Sequence, residues 1–168
     1  MLACVRNAFQ VNACRLSLVV GLRVVVVYYS ETGNTEKVAN VIAEALSADL
    51  RRVEEAGDVA GYDLICVGTP VHYFGPAKPI IRFLEGLPSL TGKKGAAFCT
   101  FHNSGDKRTI GYIKEKLEEK GAKFLGGFSC KGESRFVANF GPRIFNRGRP
   151  NEDDLRKAES FARTMAKL

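Results

Sequence analysis

The sequence has no tryptophan and only two histidines, His72 and His102, among its 168 residues. So few imidazoles leave no convincing acid–base cluster, and no catalytic residue and no metal site is assigned. No window approaches the roughly 18 uninterrupted apolar residues of a membrane span, so nothing here is expected to cross or bind a bilayer. The five cysteines, Cys4, Cys14, Cys66, Cys99 and Cys130, include no C-x-x-C pair, which excludes the usual zinc, iron–sulfur and thioredoxin-type patterns. They read as reduced thiols of a cytoplasmic protein, with Cys66 and Cys99 serving as small hydrophobes inside apolar runs. Acidic excess is missing too: 25 Lys and Arg against 18 Asp and Glu give a net charge of +7. The basic residues are dispersed, as on a solvated surface, and no nucleic-acid partner is expected. Their one local concentration is GPRIFNRGRP, with Arg143, Arg147 and Arg149.

What is present suits one soluble domain, with a hydrophobic fraction of 45% and a charged fraction of 26%. Residues 1–22 contain Arg6 and some apolar character, but Asn7, Gln10, Asn12 and Arg15 interrupt any signal-peptide core. They are expected to be a disordered extension or the product of a mis-assigned start, with the domain spanning 23–168. From Arg23 onward, runs rich in Val, Ile and Leu alternate with amphipathic segments, the signature of a parallel sheet covered by helices on both faces. Strands are predicted at about 23–29, 50–53, 64–68, 95–100 and 123–129.

Helical spacing links Val38, Val41, Ile42 and Ala45, and again Ile110, Ile113 and Leu117. A shorter helix should start at Pro79 and end by Gly86. The last helix is announced by Pro150, the cap Asn151 and three acidic residues at its positive end. Between the second and third strands EEAGDVAGY leaves room for one turn only. Residues 131–150 show weak periodicity and are expected to form an ordered loop over the sheet edge.

In such sheets ligands bind beyond the carboxyl ends of the strands, where strand order reverses. Three strand ends carry unusual sequence: YSETGNT, GTPVHYFGP and CTFHNSGD. The first lies at a helix start, where unsatisfied backbone N–H groups and the helix dipole favour an anion. Ser30, Thr32 and Thr35 add hydroxyls, Asn34 adds an amide, and Gly33 lets the backbone turn. The nucleotide loop G-x-x-x-x-G-K-[ST] is absent, so no lysine is poised over a β- or γ-phosphate. The dinucleotide pattern G-x-G-x-x-G is absent as well. A single terminal phosphate monoester remains the best candidate. The other two segments supply flat rings, His72, Tyr73 and Phe74 in one and Phe101 and His102 in the other, which favour a ring-bearing ligand.

YSETGNT resembles the S/T-x-T-G-x-T phosphate signature of flavodoxin-like proteins, and the other two segments sit where that family keeps its flavin-ring loops. The resemblance covers residues 23–168. It implies an α/β three-layer sandwich with a five-stranded parallel sheet of order 2-1-3-4-5 and FMN as cofactor. By the same resemblance Ser30, Glu31, Thr32, Gly33, Asn34 and Thr35 would hold the phosphate. Thr69, Pro70 and Val71 would line one side of the ring, with His72, Tyr73 or Phe74 as the stacking face and Gly75 near flavin N5. Thr100, Phe101, His102 and Asn103 would line the other side.

The implied role is electron transfer between a reductase and an acceptor protein, by a monomer or homodimer; the alternative is an FMN-dependent NAD(P)H:quinone oxidoreductase on the same fold. Typical flavodoxins carry a tryptophan in the second loop and are strongly acidic. Here the stacking residue stays open among 72–74, and the positive charge should disfavour the anionic reduced flavin less. Phe136, Phe140 and Phe145 with the three arginines also allow two readings of 135–150: a lid on the sheet edge, or a docking loop for an acidic redox partner.

Overall fold

The computed structural model describes residues 22–138 and 141–168; the N-terminal extension up to residue 21, with Cys4 and Cys14, and Phe140 lie outside the described residues. Five strands run parallel: β1 (Val24–Tyr28), β2 (Asp49–Arg52), β3 (Leu64–His72), β5 (Lys94–Phe101) and β6 (Lys123–Lys131), in the order β2-β1-β3-β5-β6. Counting parallel strands alone, this is the expected 2-1-3-4-5. The two-residue β4 (Gly75–Pro76) turns back antiparallel onto the end of β3, His72 opposite Gly75. Helices α1 (Asn34–Leu46), α2 (Lys78–Glu85), α3 (Asp106–Glu119) and α4 (Glu152–Met165) complete the layers. Only a single 3-10 turn, Val53–Glu55, lies between β2 and β3, as the short spacer there predicted.

The run VVVVY of β1 shows why the sheet is covered on both sides. Side chains alternate across a strand, so Val24, Val26 and Tyr28 pack under α1 and α4 while Val25 and Val27 pack against α2 and α3. All five are buried. The last helix begins with a capping box: Asn151 Oδ1 accepts from Asp154 N and Asp154 Oδ2 accepts from Asn151 N, both at 3.0 Å.

Two expectations need correction. The third predicted strand does not stop at Gly68. It runs on to His72, because Thr69 and Pro70 stay in register with Cys99 and Thr100 of β5 and Val71 and His72 pair with β4. Residues 131–150 are not a loop. They contain an antiparallel hairpin, β7 (Ser134–Ala138) and β8 (Gly141–Phe145), whose pairing with itself satisfies its backbone without a continuous apolar run.

The cysteines of the described chain sit in the core. Burial pushes the Cys66 and Cys130 thiols up from 9.0 to about 12, with Asp154 adding to the effect at Cys130. Cys99 is raised too, by burial first and then by Asp106 and Cys130. Between about 9 and 12 an unfolded chain therefore binds fewer protons than the native one, so stability should fall as pH rises through that window. At pH 8 these three thiols should resist a thiol reagent in the native protein and react after denaturant is added, which mass spectrometry of labelled peptides would check.

Candidate functional site

The site opens at the carboxyl ends of β1, β3 and β5, on either side of the point where the order reverses. Gly33, at φ 83°, is the residue before α1, and no side chain caps this helix. Its first amides face the loop. Open space surrounds the place a Gly33 side chain would occupy, so glycine serves the backbone turn there and not a close approach. Ser30, 6% exposed, accepts from Gly33 N through Oγ at 3.1 Å, which shapes residues 30–33 into a tight cup.

The remaining polar groups of the cup divide between lining and bracing. Thr32 is exposed at its rim. Thr35 is buried and shares a 2.8 Å hydrogen bond between its Oγ1 and that of Thr100, tying the first loop to the third. Asn34 donates from Nδ2 to Thr32 Oγ1 at 3.0 Å and to the Glu133 carbonyl at 2.6 Å. Behind the cup, Arg52 donates to the Ser30 carbonyl at 2.9 Å and reaches Glu36 Oε1 at 3.4 Å. Glu36 also accepts from Tyr28 OH at 2.6 Å. The one carboxylate in the first turn of α1 is thereby occupied by a cation and a phenol.

The cavity in front of the cup has a volume of about 260 Å³. Besides the first loop, its walls are Pro70, Val71 and His72 on one side and Thr100, Phe101 and His102 on the other. Thr69 stands behind the wall: its hydroxyl accepts from Ala77 N at 3.0 Å and donates to the Pro70 carbonyl at 2.9 Å. Tyr73, Phe74, Gly75 and Asn103 do not line the cavity. Tyr73 and Gly75 line a neighbouring groove of about 510 Å³ that shares Glu31 and His72 with it. Glu31 joins the first two loops, accepting from Tyr29 OH at 3.0 Å and lying 3.3 Å from His72 Nε2. That carboxylate is the largest cause holding the Tyr29 phenol above its ordinary value.

Tyr73 and Phe74 form the tip between β3 and β4, and both adopt left-handed backbone, at φ 47° and 65°. Such a conformation costs of order 1 kcal/mol or more per non-glycine residue. Gly105, at φ 98°, lies directly beneath; a side chain there would come within 2.8 Å of the Phe74 backbone.

Sequence reading missed one wall altogether. Gly132, Glu133 and Ser134, which follow β6, line the cavity, and the Glu133 carbonyl meets Asn34 from 99 residues away. Gly132 is small for a reason: a Cβ would sit 3.0 Å from Asn34 Nδ2. The end of the hairpin braces the third loop, with Phe145 edge-on to His102 at 4.6 Å and Asn146 Nδ2 donating to the His102 carbonyl at 2.7 Å. Its only signal in sequence was the concentration of Gly, Phe and Arg in that stretch.

Among the described residues no helix is long and apolar enough to cross a membrane, and no cluster of His, Cys, Asp or Glu could hold a metal ion. Known proteins resemble this chain over most of its length. It is 34% identical to an uncharacterized protein of Methanocaldococcus jannaschii over 147 residues, which are 80% of this chain and 91% of that one. It is 30% identical to an NAD(P)H dehydrogenase (quinone) of Azorhizobium caulinodans over 195 aligned residues, covering 87% and 98% of the two chains. Among solved structures, a flavodoxin from the domain Archaea superposes with a TM-score of 0.68 at 21% identity, covering 87% of this chain and 97% of its own. The profile of the flavodoxin domain matches residues 25–137. The chain belongs to the flavodoxin domain family.

Proposed function

We propose that the protein binds FMN at this site and carries electrons between a reductase and an acceptor protein. The observation that carries the reading is the uncapped start of α1, cupped by Ser30 and Gly33, opening directly into a cavity with ring-bearing side chains on two walls. Flavodoxins are themselves the reference case for FMN at this switch point. The residues fit that ligand: neutral donors at a helix start suit a phosphate monoester, and the lysine that a triphosphate would need is absent from the loop.

In this reading the amides of residues 31–35 other than Gly33, whose N–H is given to Ser30 Oγ, take the phosphate together with the Ser30 and Thr32 hydroxyls. Thr35, Asn34 and Arg52 hold the cup in shape. Of the ring residues on the second loop, His72 faces the cavity and is the stacking candidate; Phe101 and His102 serve the other wall. Bound flavin would supply the one- and two-electron chemistry, so the chain needs no acid–base triad of its own. A cavity of about 260 Å³ falls just short of the roughly 300 Å³ at which ligand pockets usually begin. The outer edge of the ring would remain uncovered and could pass electrons to a docked protein.

The quinone reductase reading is the alternative, supported by the dehydrogenase relative. Against it, the cavity leaves little room for a second substrate stacked on the flavin, and α3 begins five residues after β5 ends. About a quarter of that alignment must also pair dehydrogenase residues with gaps in this chain, since 195 positions draw on 87% of 168 residues. The purified protein should absorb near 375 and 450 nm, roughly where oxidised flavins do, and should turn over NAD(P)H with a quinone only slowly. Rapid steady-state turnover would replace the carrier reading with the enzyme.

A further inference from the structure

The turn between β3 and β4 has two residues, a geometry that favours Asn-Gly because both positions need positive φ. Here they are aromatic: Tyr73 is 100% exposed and Phe74 59%. Neither ring is buried by the fold, and neither lines the cavity. Backbone strain is thus retained to hold two aromatic rings in solvent beside the proposed cofactor. Next to them lies the groove of about 510 Å³, lined by Tyr29, Tyr73, Pro79 and Ile81 among others.

Three cations lie around this tip. Lys78 borders the groove, and Lys107 and Arg108 occupy the first turn of α3, immediately after the Gly105 that supports the tip. All three are exposed, and none has a carboxylate partner within ion-pair distance among the described residues. Further along the same helix the pattern differs, Lys114 pairing with Glu118 and Lys116 with Glu119. Of the nearby carboxylates, Glu31 lines the groove and is exposed but bonded to Tyr29 and 3.3 Å from His72, and Asp106 accepts from Ser129 Oγ at 3.0 Å. Aromatic anchors ringed by unpaired cations are the make-up of an interface that selects a negative partner.

We propose that Tyr73 and Phe74, with the groove and the cations Lys78, Lys107 and Arg108, form the docking surface for an acidic protein partner. The proposal rests on the carrier reading, and it assigns the docking role to this tip in preference to the arginines that follow the hairpin. The partner would reach the open edge of the cavity through the tip, with the positive rim guiding its approach.

The test uses one probe in two charge states, native cytochrome c, which is basic, and succinylated cytochrome c, which is acidic. Each is titrated in its oxidised form into the ¹⁵N-labelled, FMN-loaded protein at low salt, so that docking is read without electron transfer. The acidic form should shift amide signals of residues 72–78 and 105–108, and raising salt should abolish the shifts; the native form should leave them in place. Tyr73→Ser should weaken the acidic probe about tenfold. The triple variant Lys78→Glu, Lys107→Glu, Arg108→Glu should lose it while binding FMN as before, which also shows that the variant is folded. Shifts centred on 143–149, equal responses to the two probes, or an unaffected triple variant would each overturn the proposal. Failure of the protein to take up FMN would instead remove the carrier reading; the same acid-selective shifts at the tip of the FMN-free protein would still support the docking surface, and their absence would overturn it.

Discussion

Thr32→Glu should raise the dissociation constant for FMN about 100-fold, or about 2.7 kcal/mol, while changing that for riboflavin by no more than about threefold. Thr32 is exposed at the rim of the cup and lines the cavity, so the longer side chain can be accommodated without disturbing the core. A carboxylate there would compete for the amides at the start of α1 and repel a phosphate monoester, which carries roughly −1.5 to −2 charges at neutral pH. Riboflavin has the same ring and no phosphate, so it reports on everything else the substitution changes. Thr32→Gln, as long as Glu but neutral, should lose far less affinity, and added salt should narrow the gap between the two variants. Fluorescence titration of the cofactor-free protein gives all these values. Equal losses for FMN and riboflavin would mean that the phosphate sits elsewhere.

Gly68→Ala should cost about 3 kcal/mol of stability by overpacking, lowering Tm by roughly 10 °C. Gly68 is opposite Phe98 in the β3–β5 register, and an added Cβ would lie 2.1 Å from Phe98 Cζ and 2.3 Å from Cε2. Phe98 is fully buried, so its ring has nowhere to retreat. The damage should pass into the site, because Thr69 and Pro70 come next in the strand and Pro70 is part of the cavity wall. Gly33→Ala is the instructive contrast. With nothing within 4 Å, it meets only the left-handed backbone penalty of about 1 kcal/mol. Urea unfolding separates the two, and adding Phe98→Leu should restore part of the Gly68→Ala loss if the clash is its cause.

Those two glycines also mark what could be read from sequence. Gly33 was legible because its role is local: a strand, a polar turn and a helix start within a dozen residues define the cup. The five parallel strands and the Asn151 cap were legible for the same reason, resting on short apolar runs in the one case and on side chains three residues apart in the other. Gly68 was not, because its neighbour Phe98 is thirty residues away and is brought close only by strand pairing. The wall made by Gly132 and Glu133 was hidden likewise, its contact with Asn34 spanning 99 residues. The hairpin of β7 and β8 satisfies its backbone by pairing with itself and leaves little apolar alternation to detect. Which of His72, Tyr73 and Phe74 lines the cavity depended on a turn in which two aromatic residues take positive φ, a placement that turn preferences argue against.

In the proposed function the cup at the start of α1 selects a flavin by its terminal phosphate. Titrating the cofactor-free protein with FMN and with riboflavin, at one ionic strength, tests it most directly. One FMN should bind per chain, at least about 100-fold more tightly than riboflavin, in keeping with several charge-assisted hydrogen bonds to the phosphate. Equal affinity for the two flavins, or binding of neither, would contradict it.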